Sequence, residues 1–438
     1  MAILRTIKNY SSMNIAASIL LFLTAIAAAV IANSSAGPIY QEFLSHELHF
    51  QIGTFNVLSH GGHNLTMLEF INDGLMTVFF LLVGLEIKRE LLVGELSSFR
   101  KASLPFIAAC GGMLIPVLVY ALVAPPGSDG GRGIAIPMAT DIAFSLGVLS
   151  LLGSRVPVSL KIFLTAFAVV DDIGGILVIA IFYSSHVSYI YLLVAALLFV
   201  VLYFIGKRGS TNKLFILIVG VVIWYMFLQS GIHSTIAGVI LAFVIPAKPQ
   251  LNSGKYIEHI RTIINDFPVM GSKNIVLTNE QIAKLKLVES ASDRVISPLQ
   301  SLEDNLHGAV SYVILPLFAF VNSGVIFSGG GEVIGNVSIA VALALLIGKF
   351  VGIFSFTWIA IKSKLTTMPE GMCWKNIAGV SLLGGIGFTV SLFIANLSFG
   401  NEYPELLNQA KFGVLCGTLI AGMLGFTVLY FVLPKKQK

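Results

Sequence analysis

The stretch Ala168-Val169-Val170-Asp171-Asp172-Ile173-Gly174-Gly175-Ile176 lies inside an apolar run from Ile162 to Phe182. That run is long enough to cross a bilayer as a helix. Two adjacent carboxylates in its middle are expensive, because hydrocarbon cannot solvate their charge. On a helix they diverge by about 100°, so they need a cavity rather than one shared polar contact. A soluble core helix with one paired aspartate is the plainer alternative. An ion or proton site deep in a membrane accounts for both acids.

The surroundings favour the membrane. Of 438 residues, 56% are hydrophobic and 11% charged, and mean hydropathy is +0.89. Soluble domains carry about 25% charged residues. The net charge of +5 does not indicate a nucleic-acid partner, because the basic residues fall between apolar runs and mark topology. Cys110, Cys373 and Cys416 are odd in number and unclustered. They fit neither a disulfide framework nor a metal spacing and read as small packing residues. Arg5, Lys8 and the run Ile15 to Ala32 resemble a signal peptide. The run is long for one, so it reads as an uncleaved first span.

Twelve spans are expected, near 13–32, 67–87, 103–124, 134–152, 162–183, 189–205, 213–228, 232–246, 308–327, 336–361, 376–399 and 409–433. Loops on the side of the N-terminus carry 24 basic residues, the alternate loops only Arg132 and Lys411, and Lys349 alone is placed inside a span. Both termini are therefore expected in the cytoplasm. The chain reads as a single transport domain, 1–438, with a long cytoplasmic loop, 247–307, between spans eight and nine. In that loop Ile257, Ile260, Ile263 and Ile264 suggest an amphipathic helix, followed by another around Glu280–Val288. In the first external loop, 33–66, the alternation across His49–Phe55 with a central Gly53 suggests a small hairpin.

Two spans should break. In Ile134-Ala135-Ile136-Pro137-Met138-Ala139-Thr140-Asp141 the proline disrupts the helix just before Thr140 and Asp141. Gly384-Gly385-Ile386-Gly387-Phe388-Thr389 is a second weak point. A kink or close helix packing would explain either segment alone. Unwound backbone at membrane depth survives only inside protein or beside a cavity, and paired breaks in two halves of a chain suggest an inverted-repeat transporter. Half-helix ends carry partial charges; Asp141 could compensate the N-termini and Lys349 the C-termini. Lys349 should also meet an aspartate, Asp171 or Asp172. Asp73 lies near the external end of span two, where an interfacial carboxylate is the plain alternative.

Together these segments resemble the NhaA-type sodium/proton antiporter family. The matching stretches are Phe70-Ile71-Asn72-Asp73-Gly74-Leu75-Met76, Phe79 to Glu90, Ala139-Thr140-Asp141-Ile142-Ala143-Phe144 and Val170-Asp171-Asp172-Ile173-Gly174. Further along come Ser230-Gly231-Ile232-His233-Ser234-Thr235, Ile314 to Phe320 and Gly384 to Thr389. The resemblance implies an all-α polytopic membrane protein with inverted repeats and two broken helices crossing at mid-membrane. It makes Asp171 and Asp172 the cation- and proton-binding carboxylates, with Thr140 and Asp141 at the first break and Lys349 paired with Asp171 when no ion is bound. It places a pH-sensing cluster at Glu86, Lys88, Arg89, Glu90 and Glu303, and His233 beside an external funnel with Asp73. Asp304 and Asn305 depart from the family's more frequent His and Val, and a long insertion precedes them.

The implied activity is export of Na⁺ or Li⁺ against external H⁺ through a bacterial inner membrane, electrogenic and activated at alkaline pH. No cofactor is implied, and a homodimer through the first external loop is expected. A carboxylate that takes either a proton or a sodium ion exchanges them by competition, and adjacent Asp171 and Asp172 should titrate as a coupled pair. A sodium-coupled symporter of an organic anion is the nearest rival, but Lys349 is the only basic group placed in the spans to hold an anion. An intramembrane aspartyl protease needs carboxylates about 3 Å apart, and neighbours on one helix diverge. A metal-dependent prenyl transferase would want a third aspartate where Gly174 and Gly175 follow.

Overall fold

Proline and glycine interrupt two helices where the sequence places them. The computed structural model describes residues 2–52, 55–56, 58–60, 63–183, 187–208, 212–249, 251, 253–267, 276–327, 332–400 and 402–434. Within them the first broken helix runs Asp129–Met138, wound as a 3₁₀ helix, then Ile142–Leu151, with a bend of 49°. The second runs Trp374–Leu383, then Phe388–Phe399, bent by 43°.

Among the described residues nine unbroken helices are long and apolar enough to cross a membrane, and the two bent pairs raise this to eleven. The eighth expected span, 232–246, is the one left out of that count and is a short helix, Thr235–Val244. It starts late because Gly231 turns the chain with φ +79°, ending the preceding helix. The ninth span begins near Pro298 and not near 308, forming one helix through Asn322. Ser297 caps its start by accepting from Gln300 N. Glu303 therefore rides on a spanning helix instead of lying in the loop.

Both amphipathic helices of the 247–307 segment form, as Ser253–Asn265 and Asn279–Val295. The two helices pack on each other, Ile263 and Ala291 are buried, and Tyr256 hydrogen-bonds Ser292. In the first long connection, Gln51–Ile52 pairs antiparallel with Phe55–Asn56, as the alternation suggests. A second short ladder joins Ser59–His60 to His63–Asn64. Gly53 and Thr54 lie outside the described residues, as do Lys273, Lys435, Lys436, Lys438 and the side chains of Arg5 and Lys8. A short helix, Gly37–Ser45, precedes the ladders unannounced by the sequence reading. Its Tyr40 is buried and donates to Phe320 O at 2.7 Å; burial pushes its phenol above the ordinary pKa, so it stays a donor.

The helices divide by burial. In Met67–Val93 and in Val158–Phe182, 61% of the most apolar stretch is buried, against 17% in Tyr189–Lys207. The first two form the centre, and the last is a peripheral helix with an apolar outer surface suited to lipid. Small residues let the central helices approach. A Cβ on Gly84 would meet Ala242 Cβ at 2.7 Å, and one on Gly238 would strike Thr77 O. Gly111 and Gly352 bring the Phe99–Val123 and Asn336–Lys362 helices together in the same way. Cys110 and Cys416 are half-buried in helices, but Cys373 is exposed and does not pack.

Candidate functional site

The two breaks meet and satisfy each other's backbone. Asp141 N donates to Ile386 O at 2.7 Å, and Thr140 Oγ1 donates to Gly384 O at 2.8 Å. Ser145 Oγ donates to Leu383 O at 3.1 Å, while Ser391 Oγ donates to Ile136 O at 2.8 Å. Each second half-helix thus sends a hydroxyl to the carbonyl end of the other first half. Backbone that would be intolerable in hydrocarbon is paired inside the protein.

Asp141 sits at two positive helix ends at once. Its Oδ1 accepts from Phe144 N at 2.9 Å, capping Ile142–Leu151. Its Oδ2 accepts from Thr389 Oγ1 at 2.6 Å and from Thr389 N at 3.2 Å, at the start of Phe388–Phe399. A carboxylate is favoured at a helix N-terminus by the dipole and the free N–H groups. Asp141 is 3% exposed, so this is compensation of the half-helices in the protein interior, as the sequence suggests.

Lys349 complements it. The ammonium, 0% exposed, donates to Met138 O, to Thr140 Oγ1 at 3.1 Å and to Asp171 Oδ2 at 2.5 Å. The residues alone left the aspartate open; the resemblance named Asp171, and Asp171 is the one that Lys349 meets. Met138 O belongs to the negative end of the first half-helix, so Lys349 compensates that terminus. The corresponding carbonyls of the second break go to Thr140 and Ser145 instead. The lysine follows a π-helical stretch, Ala344–Gly348; one wide turn shifts the register of the residues after it.

Asp172 points elsewhere. It is 5% exposed and lines a cavity of about 110 Å³ whose wall also holds Glu86, Thr140, Asp141, Thr389 and His307. Asp172 Oδ1 and Asp171 Oδ1 have no hydrogen-bond partner among the described residues. Buried carboxylate oxygens are normally hydrogen-bonded, so two without donors are an exception that calls for an explanation.

Beyond Glu86 the expected cluster assembles in part. Arg89 makes a close ion pair with Glu303 and approaches Glu90 at 3.3 Å. Lys88 does not join it. Its ammonium donates to Phe243 O at 2.7 Å, and also to Ala242 O and Ile245 O, capping the end of Thr235–Val244. Adjacent helical residues diverge, so one run of charges serves two neighbours.

On the side of the first connection, Asp73 Oδ1 lies 3.7 Å from His233 Nδ1, and both line a second cavity of about 500 Å³. Between the cavities stands Phe393. It packs on Phe80, Phe318 and His233 at 5.7, 6.3 and 5.5 Å between ring centres. One turn on, Asn396 donates to Asn322 Oδ1, and Asn322 donates to Asn72 Oδ1 at 2.8 Å. The sequence reading missed this aromatic and asparagine cluster, because neither residue type stands out from apolar or polar packing. It also counted Lys411 with the loops. Lys411 lies within the Pro404–Val432 helix at 8% exposure.

Residues 8–429 match the family described as Na⁺/H⁺ antiporter 1. The chain belongs to this family. It is 79% identical over 437 residues to the Na⁺/H⁺ antiporter NhaA of Bacteroides fragilis, covering 100% of both chains. With the protein of that name from Bacteroides thetaiotaomicron the identity is 78% over 438 residues, again 100% of each. A more distant relative, the Na⁺/H⁺ antiporter NhaA of Shewanella loihica, is 40% identical over 437 residues, 99% of this chain and 98% of the other. The antiporter family is the one the sequence resembles, and its name is that of a transporter. Its membership agrees with the multi-pass helices described above.

Proposed function

We propose that this chain exchanges Na⁺ for H⁺ at the Asp171–Asp172 pair. The observation that carries the reading is the cavity wall where Asp172 presents an unpartnered oxygen beside Asp171, itself held by Lys349. A sodium ion entering along Glu86 would meet Asp172 and Thr140 on the cavity wall, with Asp171 next along the helix behind them. It replaces the protons or takes Asp171 away from Lys349, and the freed ammonium keeps Met138 O and Thr140 as partners. Protons arriving from the other side restore the first state. Competition for one set of oxygens couples the two flows.

The sidedness of the two cavities is read from topology, and the ion gradients set the direction of exchange. The basic-residue asymmetry supports cytoplasmic termini, a cytoplasmic Asp172 cavity and export of Na⁺ or Li⁺ across a bacterial inner membrane. Movement of two protons per Na⁺ would make turnover electrogenic, each net charge feeling about 2.3 kcal/mol per 100 mV. Alkaline activation is assigned to Glu86, Arg89, Glu90 and Glu303, with the Arg89–Glu303 pair as its hinge. Lys88 enters as the cap that anchors their helix, and Asp73 and His233 as the outer path. The transported ions are substrates, and no resident cofactor enters the scheme. Residues 1–438 act as one transport domain, with 247–307 on its cytoplasmic face. The two short ladders, Gln51–Ile52 with Phe55–Asn56 and Ser59–His60 with His63–Asn64, would carry a homodimer contact.

The test is direct. Purified protein in liposomes, preloaded with Na⁺ and diluted into Na⁺-free medium, should acidify the lumen as Na⁺ leaves. The Asp172→Asn variant should not. Coupled flow that survives replacement of both Asp171 and Asp172 by Asn would overturn the reading.

A further inference from the structure

The cavity beside the first connection holds a charge that the exchange scheme leaves unused. Its wall of about 500 Å³ includes Glu69, Asp73, Asn396, Asn408 and Lys411. Carboxylates and amide oxygens on one wall attract cations, doubly charged ones most of all. Lys411 opposes them. Its side chain lines the same cavity, and it forms none of the ion pairs found among the described residues. Asn408, one turn before it, is already occupied by the backbone of Ile326, accepting from its N–H at 2.9 Å and donating to its carbonyl at 2.8 Å. With no ion-pair partner among the described residues, the ammonium acts on the cavity as a charge.

We propose that Lys411 is the residue that keeps this vestibule a weak site for cations, so that an ion released there departs and does not rebind. The inference rests on the exchange reading, in which Na⁺ passes between the Asp172 cavity and this vestibule around Phe393. A fixed positive charge roughly 10 Å from a monovalent cation, at an effective dielectric of about 20, lowers its occupancy on the order of tenfold. A divalent cation feels twice the energy, so its occupancy falls on the order of a hundredfold. Lys411 is thus both a release device and a filter against Ca²⁺ and Mg²⁺.

Trp224 supplies a reporter, because its indole N–H donates to Asp73 O at 3.0 Å. The chain has three tryptophans; with the partly exposed Trp358 and Trp374 changed to Phe, Trp224 fluorescence reads the vestibule. Titration with NaCl and with CaCl₂ should give half-saturation on the order of tenfold lower for Na⁺ in Lys411→Gln, and lower still for Ca²⁺. Lys411→Arg should match the parent. In liposomes, the Gln variant should lower the Na⁺ KM on the vestibule side and leave the other side unchanged. Unmoved titrations in the Gln variant, or an Arg variant that behaves like it, overturn the proposal. If Lys411→Gln does not fold, Ser45→Lys adds a charge to the exposed rim of the same cavity. It should weaken both titrations, and no change there refutes the electrostatic role. A parent that binds cations near Trp224 yet does not exchange sinks the antiport reading alone.

Discussion

Lys349 Nζ lies 2.5 Å from Asp171 Oδ2, and both side chains are wholly buried. Such a pair does little net work for stability, since the loss of hydration offsets most of the attraction. Removing one partner is another matter, because the survivor is then a lone charge in the interior. Lys349→Met should therefore cost about 3–5 kcal/mol. Adding Asp171→Asn to the same chain should recover much of it while leaving transport abolished. Thermal unfolding in detergent would show this as a double variant melting above Lys349→Met, and the opposite order would refute the pairing.

Asp172 carries no such partner, so its replacement separates function from folding. Asp172→Asn should leave the melting temperature at or slightly above the parent's, because it removes a carboxylate with an unsatisfied buried oxygen. ²²Na⁺ uptake driven by an imposed pH gradient should fall to background. A destabilised Asp172→Asn protein would mean that the oxygen has a structural partner after all.

Competition also fixes a sign for pH. Protons and Na⁺ share the same oxygens, so lowering the pH fills the site with protons and raises the apparent KM for Na⁺. With one competing proton the slope is about tenfold in KM per pH unit below the apparent titration of the pair, and steeper if both acids take up protons together. Maximal turnover at saturating Na⁺ should change less. Initial rates measured against Na⁺ concentration at several pH values would check this, and a KM flat in pH contradicts competition.

Much of this site is legible in the chain because its cost is chemical. Pro137 and the glycines at 384, 385 and 387 mark the breaks, and Asp141, Asp171, Asp172 and Lys349 are charges that only a polar interior can hold. Which aspartate meets Lys349 was legible only through the family resemblance, not from the spacing of the residues. It depends on helix rotation, and the π-helical stretch at Ala344–Gly348 shifts that rotation without a compositional signal. Lys88 was misgrouped for a similar reason: sequence adjacency to Arg89 hides that the two leave the helix toward different neighbours. The start of the ninth span was set too late because Glu303, Asp304 and His307 look like loop residues until helix packing shelters Glu303. Lys411 reads as a loop cation for the same reason.

The position of Lys349 depends on a contact that has no side chains in it. Gly352, one turn beyond Lys349, faces Gly111 so closely that a Cβ would collide with Gly111 O and stand 2.7 Å from its carbonyl carbon. Backbone cannot yield as a flexible side chain does, so Gly352→Ala must push the two helices apart. Overpacking of this kind costs about 1–3 kcal/mol, and here it also draws the ammonium away from Asp171 and Met138. Gly175 is the control, three residues from Asp172 on the Val158–Phe182 helix, where a Cβ would meet nothing within 4 Å. Gly175→Ala should gain about 0.5–1 kcal/mol from restricting the unfolded backbone. Melting curves of the two alanine variants should move in opposite directions, and only Gly352→Ala should reduce Na⁺/H⁺ exchange. If both shift alike, the close crossing does not position Lys349.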